Sequence, residues 1–137
     1  MERRRQRHLA LILGRELASQ LATATFIADA DGELVFFNEP AEQILGRTFS
    51  EAGSMPAAEW TSMFQLETVE GDPLPLDQMP AAVALLEHRP THGRLRMTGF
   101  DGVQRVLSVT GIPLFSSRVE CVGMLALFWQ EDAPGDG

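Results

Sequence analysis

Apolar positions along the first twenty residues follow a helical period. Leu9, Leu13, Leu17 and Leu21 recur every fourth residue and Ile12 adds an i+3 neighbour to Leu9, which predicts one amphipathic helix with an apolar stripe. Its polar side carries Arg15, Glu16, Ser19 and Gln20, and Thr23-Ala24-Thr25 then shift the composition toward strand formers, so the helix is expected to end near Ala22. Phe26 to Ala28 and Leu34 to Phe37 flank Asp29-Ala30-Asp31-Gly32, which reads as a hairpin with Gly32 supplying the turn. Asn38 before Glu39-Pro40-Ala41 is a helix N-cap signal, and Gly46 after Ile44-Leu45 is a C-terminal stop.

Residues 47 to 78 are the least regular, with Gly53, Pro56, Gly71, Pro73 and Pro75 around the apolar patch Trp60, Met63, Phe64; loops and one short helix are expected there. A helix begins at Pro80 and stops before Pro90. Three strands follow. Leu95 and Met97 alternate with Arg94, Arg96 and Thr98, Asp101-Gly102 makes a second turn, Val103 to Leu114 is rich in strand formers, and Cys121 to Trp129 is apolar on both faces. The expected class is α+β: short helices on one face of a five-stranded antiparallel sheet in the order 2-1-5-4-3, preceded by the amphipathic helix. The expected divisions are an N-terminal helix (1–22), one domain (23–132) and a flexible tail or linker (133–137).

With 137 residues, 45% of them hydrophobic and 22% charged, the chain has room for one core and is neither a disordered nor a membrane class. The apolar run Val122 to Trp129 is broken by Gly123 and is far shorter than the roughly 20 residues of a membrane-spanning helix. Cys121 is the one cysteine, so no internal disulfide forms. Arg15 and Glu16 cut short the apolar stretch after the basic start, unlike a secretory signal, and a cytoplasmic setting is expected. Residues 1 to 16 carry five Arg against two Glu, whereas the rest carries six Arg against seventeen acids. Such an acidic body opposes a nucleic-acid partner.

The first half, ADADGELVFFNEPAEQILG, resembles the PAS family pattern of an Asp-x-x-Gly turn, a hydrophobic strand and an Asn-capped short helix. Asp29, Gly32, Asn38, Ala41 and Gly46 fall into register, with one extra residue between Asn38 and Ala41. VEGDPLPLDQMPAAVALLEHRP is similar to a segment of bacterial PAS sensors, and DGVQRVLSVTGIPLFSS with VGMLALFWQED is similar to the family's last two strands. The junction Gln130-Glu131-Asp132 before Pro134 departs from the family's helical exit. The resemblance implies a sensory module, homodimeric or coupled to an output domain of the kind found in two-component and transcription regulators, with a cavity for a small ligand. A ligand-free interaction module is the alternative reading, and a haem- or flavin-binding sensor a more remote one.

Trp60, Phe64, Met79 and Met97 are the candidate cavity lining, with core packing as their other reading. Ser108 and Thr110 either face the ligand or point outward. By family resemblance, haem would need a histidine on the helix before the third strand. His88 ends that helix and is the candidate, with His92 nearby, although a histidine there also suits the helix dipole. Flavin photochemistry in the light-sensing branch uses a cysteine in the first half. That residue is absent, and Cys121 reads as a buried inert thiol. His8 lies in the basic head. No catalytic or metal motif is present in the sequence, so no enzymatic activity is expected. Leu9, Leu13, Leu17 and Leu21 are the candidate dimer surface, expected to pack over the outer sheet face or against their own copies.

Overall fold

A computed structural model describes residues 2–46, 48, 55–99, 101–118 and 120–131, without the side chains of 2–8, 57, 58, 61, 63 and 76. The segment expected to be a tail, 133–137, and the side chain of His8 lie outside the described residues.

Asp29 organises the first turn. Its Oδ1 accepts the backbone N–H of Asp31 at 2.9 Å and of Glu33 at 3.0 Å, while Gly32 adopts a φ of 84°. This joins β1 (Ala24–Asp29) to β2 (Leu34–Phe37) as an antiparallel pair. Asn38 then caps α2 (Glu39–Leu45), which Gly46 ends at a φ of 85°. Only glycine fits at that position, because a Cβ there would lie 2.8 Å from the backbone nitrogen of Asp101. Downstream come α3 (Ala57–Phe64), a 3-10 turn at Leu76–Gln78 and α4 (Pro80–Glu87). Three strands complete the sheet: β3 (Thr91–Thr98), β4 (Gln104–Phe115) and β5 (Cys121–Gln130).

The sheet has five strands in the order β2-β1-β5-β4-β3, as the sequence reading expected. Pairing of Val109 with Phe128 and of Phe26 with Ala126 puts Leu95, Leu107, Val109, Phe128 and Phe26 on the inner face under α3 and α4. Two glycines let α4 lie almost on the strands. A Cβ on Gly93 would meet Pro80 Cγ at 2.8 Å, and one on Gly111 would meet Ala81 Cα at 2.9 Å. The hydroxyl of Thr91 donates to the Pro80 carbonyl and pins the start of α4 to the sheet.

On the outer face lies α1 (Glu2–Ser19), which ends slightly before the expected Ala22. It rests on Ile27, Ile112, Leu114, Leu125 and Leu127 through Leu11, Gly14 and Ala18. Of the two roles expected of the leucines, packing over the sheet falls instead to other residues: Leu9 is 56%, Leu13 59% and Leu17 57% exposed, and only Leu21 is half-buried. Close approach of a helix to a sheet favours small residues at the contact, so Gly14 and Ala18 face the strands and the bulky stripe is turned aside.

Candidate functional site

Side chains from both strands and helices meet beneath α3 around a cavity of about 40 Å3. Of the residues expected there, Trp60, Phe64, Met79 and Met97 all line it. Phe26, Leu107, Val109 and Phe128 line it as well, unforeseen from the sequence. Trp60 is fixed at both ends. Its indole N–H donates to the Gly32 carbonyl at 3.0 Å, and its ring packs edge-on against Phe26 with centroids 5.7 Å apart. Phe26 in turn packs against Phe128 at 5.9 Å. This aromatic set occupies much of the space between helices and sheet.

Ser108 and Thr110 do not reach the cavity. They alternate with Leu107 and Val109 along β4 and so point to the outer face. There the Ser108 hydroxyl donates to the Glu131 carboxylate, and Thr110 Oγ1 lies 2.9 Å from His92 Nδ1. Arg94 Nε donates to the same carboxylate at 2.9 Å. The Arg94 and Ser108 hydrogen bonds hold the Glu131 carboxyl below its ordinary range, and Glu131 in turn raises Arg94. His92 stacks on Trp129 with centroids 5.9 Å apart. At the second turn the Arg105 side chain, and then the Val103 N–H, lower Asp101.

His88 is also displaced from its expected role. It ends α4 in a left-handed conformation with a φ of 57°, exposed, its ring edge-on to Phe115 at 6.1 Å. A haem needs an axial donor and a flavin needs polar partners for its ring edge. Among the described lining residues the only side-chain N or O is the Trp60 indole nitrogen, which is spent on Gly32. A lining of this kind around about 40 Å3 fits neither group. Cys121 lies outside the cavity, half-buried, with its thiol 3.3 Å from the Gly123 carbonyl. Among the described residues no cluster of three or more His, Cys, Asp or Glu is arranged to hold a metal ion, and no helix is long and apolar enough to cross a membrane.

Outside the cavity, Trp60 and Met79 also line an open groove of about 420 Å3, with Leu85 and Leu86 on one side and Asp31 and Asp77 at the rim. A second groove, of about 430 Å3, runs between Leu9, Leu13 and Leu17 of α1 and Leu114 and Phe115 at the end of β4.

No family model matches the sequence, and no curated protein matches it. Solved structures do match. A PAS domain from Colwellia psychrerythraea superimposes with a TM-score of 0.63 at 18% identity, over 88% of this chain and 96% of the other. The PAS domain of nitrogen regulation protein NR(II) from Vibrio parahaemolyticus gives 0.60 at 16% identity, over 87% and 98%. The LOV domain of a blue-light activated histidine kinase from Erythrobacter litoralis gives 0.62 at 18% identity, over 83% and 100%. At such identities the likeness speaks for the fold, and it agrees with the strand order, the Asn38-capped helix and the helices over the inner face. The chain has the PAS fold.

Proposed function

We propose that this domain is a sensory signal-transduction module that homodimerises through α1 and regulates an output domain or partner protein. The observation that carries this reading is the two-sided use of α1. Its Leu11–Gly14–Ala18 face rests on the sheet, while Leu9, Ile12, Leu13 and Leu17 present an exposed apolar stripe beside the groove at Leu114 and Phe115. Four neighbouring exposed apolar side chains support reading this stripe as a contact surface. A second copy supplies an identical stripe, and a two-fold axis pairs the two without further elements. The likeness to sensor domains of histidine kinases supports a signalling role of the same kind.

Signal transfer follows from the contacts beneath α1. A Cβ on Gly14 would lie 3.5 Å from Leu114 Cδ1 and 3.6 Å from Ile27 Cδ1, and one on Gly123 3.2 Å from Leu11 Cδ2, so α1 lies close on β1, β4 and β5 and a rearrangement of those strands biases the helix resting on them. Such a rearrangement starts either from an occupant of the inner cavity or from a partner bound to the domain. At about 40 Å3, against roughly 300–1,000 Å3 for ordinary ligand pockets, the cavity favours a very small apolar occupant or none. The interaction-module reading is therefore the stronger of the two, with small-ligand sensing second. Sedimentation equilibrium of the full chain and of the Leu13→Glu/Leu17→Glu variant tests the proposal: dimer for the first and monomer for the second support it, and a monomeric wild-type chain overturns it.

A further inference from the structure

The strand order leaves β3 at one edge of the sheet. Arg96 exchanges both of its main-chain hydrogen bonds with Glu67, at 2.8 and 2.9 Å, and so turns its N–H and C=O away from β4. With the two-residue period of a strand, His92 and Arg94 turn theirs the same way. Among the described residues none pairs with them: the chain before β3 covers the edge at Arg96 and leaves the next two outward-facing positions open. A groove of about 370 Å3 runs along this open stretch. Leu74, Gln78 and Val83 form its inner wall, and Arg89, His92 and Arg94 its outer rim.

We propose that this edge receives an extended segment of a partner protein as a sixth strand, and that the segment alternates apolar and acidic side chains. The main chain supplies two ready donor–acceptor positions, at His92 and Arg94, which is the chemistry of strand addition. A strand laid there sends alternate side chains to opposite sides. One set meets Leu74 and Val83, and the other meets Arg89, His92 and Arg94. Arg89 pairs with Glu87 at 2.8 Å with both side chains more than half exposed, whereas Arg94 holds the less exposed Glu131. The exposed Arg89–Glu87 pair holds little energy and exchanges readily for an incoming carboxylate. Charge also argues against a second copy of β3 as the occupant, because antiparallel pairing about this stretch sets His92 and Arg94 beside the same basic residues.

Amide hydrogen exchange on the full 15N-labelled chain tests this, using two soluble hexapeptides, one alternating valine and glutamate and one alternating valine and lysine. Without peptide, the amides of His92 and Arg94 exchange fast while those of Gly93 and Leu95, turned toward β4, are protected. Saturating valine–glutamate peptide slows His92 and Arg94 by at least about tenfold, and the lysine peptide leaves them fast. No slowing by the glutamate peptide, or equal slowing by the lysine peptide, overturns the proposal. So does slowing that rises with protein concentration alone, which assigns the edge to a second copy.

Discussion

The side-chain amide of Asn38 donates to the carbonyl of Ala18 from 2.9 Å, tying the residue that starts α2 to the last turn of α1, twenty residues earlier. The same nitrogen donates to the Thr23 carbonyl at 2.9 Å, and Oδ1 accepts from the N–H of Thr25 at 2.9 Å and of Ala41 at 3.1 Å. One buried amide thus caps a helix, holds the start of β1 and anchors α1 on the sheet.

Replacing it separates the roles. Asn38→Ala takes the side-chain acceptor from the Thr25 N–H and leaves the Ala18 carbonyl with the Leu21 N–H alone, and is expected to cost about 2–4 kcal/mol in chemical denaturation. Asn38→Asp keeps both acceptor bonds and remains a good N-cap, yet sets a carboxylate against the carbonyls of Ala18 and Thr23. The aspartate variant is expected to be destabilised at neutral pH, with faster amide exchange in the last turn of α1. A fully stable Asn38→Asp protein would mean that the residue is a helix cap alone.

Trp60 governs how much space the inner cavity has. Trp60→Ala removes the indole and its bond to Gly32, at an expected cost of about 3–5 kcal/mol. The enlarged apolar space then takes up benzene, seen as a rise in melting temperature that the wild-type chain does not match. Equal shifts for both proteins would show that Trp60 does not limit the cavity.

Glu131 carries a pH signature. Its carboxyl titrates lower in the folded protein than in the unfolded chain, because Arg94 and then Ser108 bond to the ionised form. The stabilisation is therefore fully present above the ordinary carboxylate range and fades as pH falls through the depressed folded value. Glu131→Gln should melt below the wild-type chain at neutral pH and converge with it in acid, with a smaller gap at high salt. A gap independent of pH would assign the loss to packing rather than charge.

Much of the fold was legible because its signals are local. Asp29 and Gly32 make their turn, and Gly46 its stop, with atoms a few residues away. The faces were not legible. The leucine stripe of α1 has the stronger apolar period, but the sheet selects the thinner Leu11–Gly14–Ala18 face, and that choice depends on how closely the helix approaches. On β4 the alternation was plain, but which set faces inward is fixed by the pairing of Val109 with Phe128, a contact between distant segments. The polarity of Ser108 and Thr110 invites a ligand role, while Leu107 and Val109, which line the cavity, carry no chemical signal to set them apart from core. The reach of Asn38 to Ala18 likewise joins elements that only the folded chain brings together.

Sedimentation equilibrium measures dimerisation through α1 directly. The full chain at micromolar concentration is expected to sediment with twice its 15.1 kDa mass. Leu13→Glu/Leu17→Glu, which changes only exposed positions, is expected to halve the mass while leaving the melting curve of the domain within about 0.5 kcal/mol per substitution of a monomeric reference. A wild-type chain that sediments as a monomer, or a variant that remains a dimer, rules out dimerisation through this stripe.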